Sequence, residues 1–536
     1  MNNEQPPVNT APPPVVVGGS APPPSASTSQ EPVQTRSPSA SIATAPPIVP
    51  IVPLVALDAT SLPKQAALSR TTIPSQPEGN FDTEDGALSD DRSATVSSVV
   101  INTLCNIMGG GILALPMTMY TGSIIFCTIA LIMCSAGAAF SVYLLVYGCD
   151  VTNKYSYAES LAHVMFPNPP GVNPLEEGSS AEASKKRRWV VMALEAVVFL
   201  NNFGLLVIYQ KVIQDSMPPV LEQMGAGDFL SSSALWLWLP AIIFFGATCA
   251  KNMEELKWSS MVGFVTILYV VLLTVVRLVT RVEVPETKVA ASQEINWLSF
   301  SFDSLAVMSS YSTAFAYHFN VPYFYRELVD RRPAVMLETV RRSFPIITIC
   351  YLITALFGYL TFGALIADKS AGGNIMNNYP RDDTFVNVGR FGLFFHFASV
   401  FPVMSVCARR AAHRFVCMWK HVDGDGDPST TTFHSITIEA GVIVLGSTVA
   451  AATLPGVDQI VSLIGTLFGI PLLFVLPGMI GMKVFQPPET NHLSRHISLD
   501  ISREKMAMVY KGSKGLFFAG WFFVVMGLLA FFVNLV

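Results

Sequence analysis

From Ser93 onward the chain alternates long hydrophobic segments with polar loops. A helix rises about 1.5 Å per residue, so about 20 apolar residues cross a hydrocarbon layer of about 30 Å. Eleven segments are expected to span: 95–119, 122–148, 189–214, 234–250, 258–280, 299–321, 343–366, 384–408, 434–453, 457–482 and 514–535. Spanning strands would be half as long and would alternate polar with apolar positions. Composition agrees, with 51% hydrophobic and 13% charged residues where soluble domains carry about 25% charge. The expected class is an all-α polytopic membrane protein whose surroundings are a lipid bilayer. A net charge of −5 supplies no field to gather nucleic acid. The eight cysteines show no C-x-x-C spacing and lie mostly in or beside apolar segments. They read as small buried residues, not as a disulfide framework or a metal site.

Basic residues orient the helices. One set of alternate loops holds 22 Lys and Arg and the other holds 5. The positive-inside rule puts the richer set in the cytoplasm. The amino terminus is then cytoplasmic, and an odd number of spans leaves the carboxyl terminus on the far side. Residues 1–92 differ from the rest, carrying 17 of the 37 prolines among many Ser, Thr and Ala. Such a segment cannot bury enough apolar surface to offset its ordering entropy, so it is expected to be a disordered cytoplasmic tail. Residues 93–536 form the membrane domain.

The first span contains "NIMGGGILALP", Asn106 to Pro116. Glycine costs a helix interior about 1 kcal/mol and proline about 3. In hydrocarbon, broken backbone survives only where it is buried or lines a cavity. Transporters use such breaks: N–H groups freed at a half-helix start face an anion, and freed carbonyls face a cation. An amino acid, with its carboxylate and ammonium, suits a break at Gly109, Gly110 and Gly111. An inverted repeat would put a matching break five helices later, in "SSYSTAFAYHFNVP", Ser309 to Pro322. That stretch carries His318, an ionisable residue at membrane depth and hence a candidate functional group. Asn201 and Asn202 in the third span and Ser399 in the eighth are further substrate-binding candidates by position. An unpaired amide at that depth is costly.

These stretches are similar to sequences of one family. "NIMGGGILALPMTMYTG" resembles the first helix of the amino acid/auxin permeases. "AFAYHFNVPYFYREL" resembles their sixth-helix motif, "ALFGYLTFG" their seventh helix, and "FPVMSVCARRA" the end of their eighth. The long hydrophilic amino terminus and divergent loops resemble the protozoan, kinetoplastid branch. The resemblance implies a LeuT-type fold: helices 1–5 and 6–10 as inverted repeats, plus one helix. It implies a substrate site between helices 1, 3, 6 and 8, formed here by Ile107, Met108, Gly109, Gly110, Gly111, Phe315, Ala316 and Tyr317, with His318 beside it.

Sodium-coupled members place an asparagine four residues before the first glycine of the break and a threonine two residues before the helix-8 proline. Cys105 and Val400 stand there. Neither offers the hard oxygen a small cation needs, so proton-coupled or sodium-independent transport is expected. His318 is the first candidate for the proton site because imidazole titrates near neutral pH; Glu195 is the second. There is no H-E-x-x-H and no P-loop, so neither embedded hydrolysis nor ATP-driven transport is expected. The chain reads as a secondary-active amino acid transporter, not an enzyme, without cofactor or metal. The alternative is an amino acid sensor on the same fold. Its membrane is the plasma membrane or a vacuolar, lysosome-like one.

Overall fold

A computed structural model describes residues 93–167, 181–249, 257–280, 295–420, 432–454, 456–485 and 513–535; the expected tail, 1–92, lies outside them. The described chain is all-helical. The first hydrophobic segment is α1 (Val96–Ile107), a 3₁₀ turn at Gly110–Ala114 and α2 (Leu115–Gly122). Its two pieces meet at 44°. Then follow α3 (Ile124–Thr152), the short α4 (Tyr157–Met165), α5 (Ala181–Gln223), α6 (Ser233–Thr248) and α7 (Lys257–Thr280). A second interrupted segment is α8 (Val307–Ala314) and α9 (Val321–Glu327), with non-helical residues 315–320 between them. The rest is α10 (Pro333–Phe362), α11 (Thr384–Trp419), α12 (Phe433–Thr453), α13 (Val457–Ile464) continuing through two π-helical turns into α14 (Leu476–Val484), and α15 (Ser513–Leu535).

Among the described residues eight helices are long and apolar enough to cross a membrane, nine when the bent first pair counts as one span. Two of the eleven expected segments fall outside that count. The segment 234–250 became α6, a helix of 16 residues, shorter than a full crossing. The segment 299–321 became a 3₁₀ turn, α8 and a non-helical stretch, because residues 315–320 leave the helix.

The interior is one apolar core reaching from α1 to α14. Its largest packing faces run along α11, with α5 on one side and α7 on the other. Small residues set the closest approaches. A Cβ on Gly465 would lie 1.8 Å from the Ser309 carbonyl oxygen, so the backbones of α13 and α8 touch there. Ser309 and Ser462 reinforce the contact at 2.9 Å, and the Thr313 hydroxyl donates to the Val461 carbonyl at 2.6 Å.

The chain just before α1 pairs with the chain just after α9. Ala94 N–H donates to Glu327 O, and Val329 N–H donates to Ala94 O, both at 3.1 Å. The two half-helices α1 and α9 are thus tied by main chain at their outer ends.

Candidate functional site

The first break begins where α1 runs out of helical hydrogen bonds. Met108 caps α1, and Gly109 takes φ −109° and ψ −149°, outside both the helical and the β regions. Gly110 then opens the 3₁₀ turn, and no side chain caps it. First-turn N–H groups have no partner within their own helix, so Gly110 and Gly111 present N–H groups at a half-helix start. The absence of side chains is required by packing. A Cβ on Gly110 would meet Ile208 Cγ2 at 2.6 Å, and one on Gly109 would meet the Tyr209 hydroxyl at 3.3 Å. Both neighbours lie on α5. A Cβ on Gly111 would come 3.0 Å from Ala314 Cα, so the first break touches the second.

One side chain joins the two breaks. The Tyr351 hydroxyl, on α10, lies 2.7 Å from the Ile107 carbonyl oxygen and 2.8 Å from that of Ala314. These are the last residues of α1 and α8. A hydroxyl has one proton, so Tyr351 donates to one carbonyl at a time. Tyr351 is fully buried. A tyrosine among apolar residues carries no sequence signal of such a role.

The expected site residues separate by direction. Ile107, Met108, Gly109, Gly110 and Gly111 are buried at the first break. Phe315, Ala316 and Tyr317 are buried at the second, but the two aromatic rings turn towards α10. Phe315 stacks on Phe344 with ring centres 6.2 Å apart and leans on Tyr351 at 5.2 Å, and Tyr317 sits 5.9 Å from Phe344. His318 turns towards α3, where its Nε2 is 2.6 Å from Ser141 Oγ. The Ser141 hydroxyl donates to Ala138 O at 2.9 Å, which leaves His318 Nε2–H as the donor to Ser141 and assigns that tautomer. The facing wall of α5 and α11 is aromatic: Tyr209 stacks on Phe397 with ring centres 5.0 Å apart.

Asn201 lies seven residues before Ile208 on α5, hence on the same helix face and about 10 Å away along the axis. It is fully buried, and neither amide atom has a hydrogen-bond partner. Asn202 donates to Val198 O at 2.9 Å while its oxygen is unpaired. Glu195 is not free to meet a cargo. Arg414 on α11 donates to it at 3.2 Å and to Glu159 of α4 at 2.7 Å. Ser399 lies on α11 and is half-buried. Its hydroxyl donates to Phe395 O of its own helix at 2.8 Å, and Phe395, one turn earlier, is exposed. The α11 ring that stacks on Tyr209 is Phe397. Cys105 and Val400 are both buried, on α1 and α11.

One further link was not legible beforehand. Asn320, at the start of α9, donates from Nδ2 to Asn106 Oδ1 at 3.1 Å, and the Cys407 thiol of α11 donates to Asn320 Oδ1 at 3.3 Å. With the Ala94 pairing, α1 and α9 are joined at both ends.

A profile of the family described as "Transmembrane amino acid transporter protein" matches residues 92–502. The chain belongs to that family. The transporter is 24% identical over 434 residues to amino acid transporter AVT6E of Arabidopsis thaliana, covering 77% of this chain and 82% of that one. It is 22% identical over 407 residues (74% and 79% coverage) to a Mus musculus protein whose name carries sodium-coupled neutral amino acid transport. Vacuolar amino acid transporter 5 of Schizosaccharomyces pombe is 21% identical over 420 residues, covering 75% and 88%. Among solved structures, MhsT in complex with L-phenylalanine superposes with a TM-score of 0.52 over 82% of this chain and 99% of that chain, at 9% identity. That likeness is one of fold.

Proposed function

We propose that this transporter carries an amino acid at the junction of its two broken helices and moves it without sodium, coupled to protons. The observation that carries the reading is the meeting of the breaks: uncapped Gly110 and Gly111 N–H groups, Ala314 within touching distance, and a Tyr209–Phe397 wall opposite. A cargo carboxylate is held by the two N–H groups at the half-helix start, where the helix dipole favours negative charge. The ammonium is held by main-chain carbonyls of residues 315–319. Since Phe315 and Tyr317 face α10, main chain and not side chain recognises the groups common to all amino acids. The α5–α11 aromatic wall then meets the variable side chain.

Alternating access follows from how the halves are tied. The joined α1 and α9 swing as one leaf against α5 and α11, and the leaf meets α11 through Asn320 and Cys407. In this reading all eleven segments cross the bilayer, α6 and the α8–α9 segment included, as two inverted five-helix repeats plus α15. The amino terminus is cytoplasmic. The membrane is the plasma membrane or a vacuole- or lysosome-like one, the latter suggested by the vacuolar relative. The kinetoplastid placement rests on the tail and loops. The absence of hard oxygen donors at Cys105 and Val400 supports the sodium-independent part, against the name of the mouse relative.

Counterflow in proteoliposomes tests the reading. Vesicles loaded with an unlabelled amino acid should take up its tritiated form in choline buffer as fast as in sodium buffer. Binding of the amino acid without counterflow would indicate a sensor. Counterflow that needs sodium would refute the ion assignment.

A further inference from the structure

His396 sits about 18 Å along α11 from its first residue, well inside the membrane domain. It is fully buried, and neither Nδ1 nor Nε2 has a hydrogen-bond partner. The backbone of Gly263 on α7 lies beside the ring as a weak electrostatic partner, with no contact that meets hydrogen-bond geometry. A Cβ at Gly263 would come within 2.7 Å of Nδ1. Buried polar groups are almost always paired, and an exception calls for a reason. His318 has its Nε2 engaged by Ser141 and only its Nδ1 without a partner.

The place of the ring matters as much as its isolation. The next residue, Phe397, is the ring stacked on Tyr209, which packs against Gly109. The residue after Gly263 is Phe264, whose backbone meets the Cys105 thiol of α1, one turn before the break. His396 therefore lies where α11 and α7 come together beside the broken helix. The groups that face this region are Cys105 from α1, Gly263 and Thr266 from α7, and the Tyr209 phenol from α5. The neighbouring cation on α11, Arg390, is held by the carbonyls of Met376, Tyr379 and Pro380 and by Asn387. No charged side chain faces the ring among the described residues.

Building on the transport reading above, we propose that His396 is the proton-carrying side chain of the transporter. The ring nitrogen that bears the lone pair takes a proton when the site opens to the acidic side. It returns that proton to water when the site opens to the other. A charged group favours whichever conformation hydrates it or offers it a partner. A conformational change that wets one side of α11 thereby ties proton uptake to the swing of α1 and α9.

The experiment is accumulation and counterflow in proteoliposomes of the full chain, with membrane potential clamped, using the amino acid that gives most counterflow in a panel of the twenty. Wild type under an inward acid gradient of about one pH unit should accumulate cargo up to about tenfold for one proton per cargo. His396→Gln should bring the ratio close to one while counterflow continues. His318→Gln, at the second break, tests the rival imidazole. Gly263→Ala, which crowds the ring without removing it, should keep counterflow but move the pH of half-maximal uptake. Wild-type counterflow with no pH-driven accumulation overturns the proton inference alone. Absence of wild-type counterflow for every amino acid overturns the transport reading itself. Full accumulation by His396→Gln, or its loss in His318→Gln only, overturns the assignment to His396. If His396→Gln yields no folded protein, an unmoved pH profile in Gly263→Ala overturns it as well.

Discussion

Replacing Tyr351 by phenylalanine removes one oxygen from the place where the two broken helices end. The hydroxyl is 2.7 Å from Ile107 O and 2.8 Å from Ala314 O. Ile107 O has a second donor in the Gly109 N–H at 2.8 Å, so the Ala314 carbonyl loses most. A buried acceptor left unpaired costs about 1–3 kcal/mol. The ring of Tyr351 stays in place against Phe315, so packing changes little. If the hydroxyl joins both breaks only in this conformation, Tyr351→Phe lowers its population against competing states by about 5- to 150-fold. Scintillation proximity binding of a tritiated amino acid, with counterflow on the same preparation, reads that shift as weaker apparent affinity and slower exchange. Binding and counterflow both within twofold of wild type would refute the idea that Tyr351 holds the breaks together.

Gly110→Val should abolish counterflow in protein that still inserts, because its Cβ meets Ile208 Cγ2 at 2.6 Å and overpacking costs about 1–3 kcal/mol; adding Ile208→Ala should restore part of the activity. Asn106→Ala and Asn320→Ala should each lower the unfolding temperature, and a double-mutant cycle should show about 0.5–1.5 kcal/mol of coupling, whereas strict additivity would mean that their 3.1 Å contact contributes nothing. Ser399→Ala should transport within twofold of wild type, since its hydroxyl serves only its own helix; a large rise in the cargo concentration for half-maximal uptake would return Ser399 to the site.

Much of the architecture was readable in advance because the bilayer restricts it so strongly. Runs of apolar residues gave the helices, and three adjacent glycines in one of them gave the first break. Repeat logic put the second break within Ser309–Pro322, and the fold has it at residues 315–320. What the sequence hid were directions. Ser399 was named from its position in the span alone, and Phe397 was not named; in the fold Phe397 stacks on Tyr209 and the half-buried Ser399 bonds its own helix. That Phe315 and Tyr317 pack their rings on α10 was likewise not visible in the sequence. Tyr351 and His396 were missed for one reason: each stands on a helix outside the two broken segments, and only the tertiary fold brings it near them. Glu195 was legible as a buried carboxylate, but its partner Arg414 lies on another helix.

The most direct measurement is an experimental structure of the transporter with its amino acid bound. The cargo carboxylate should lie within about 3.2 Å of the Gly110 and Gly111 N–H groups, with its ammonium on main-chain carbonyls of residues 315–319 and its side chain against Tyr209 and Phe397. An amino acid bound elsewhere, or at the breaks with its carboxylate held by a side chain while those two N–H groups bond to protein, would contradict the central claim.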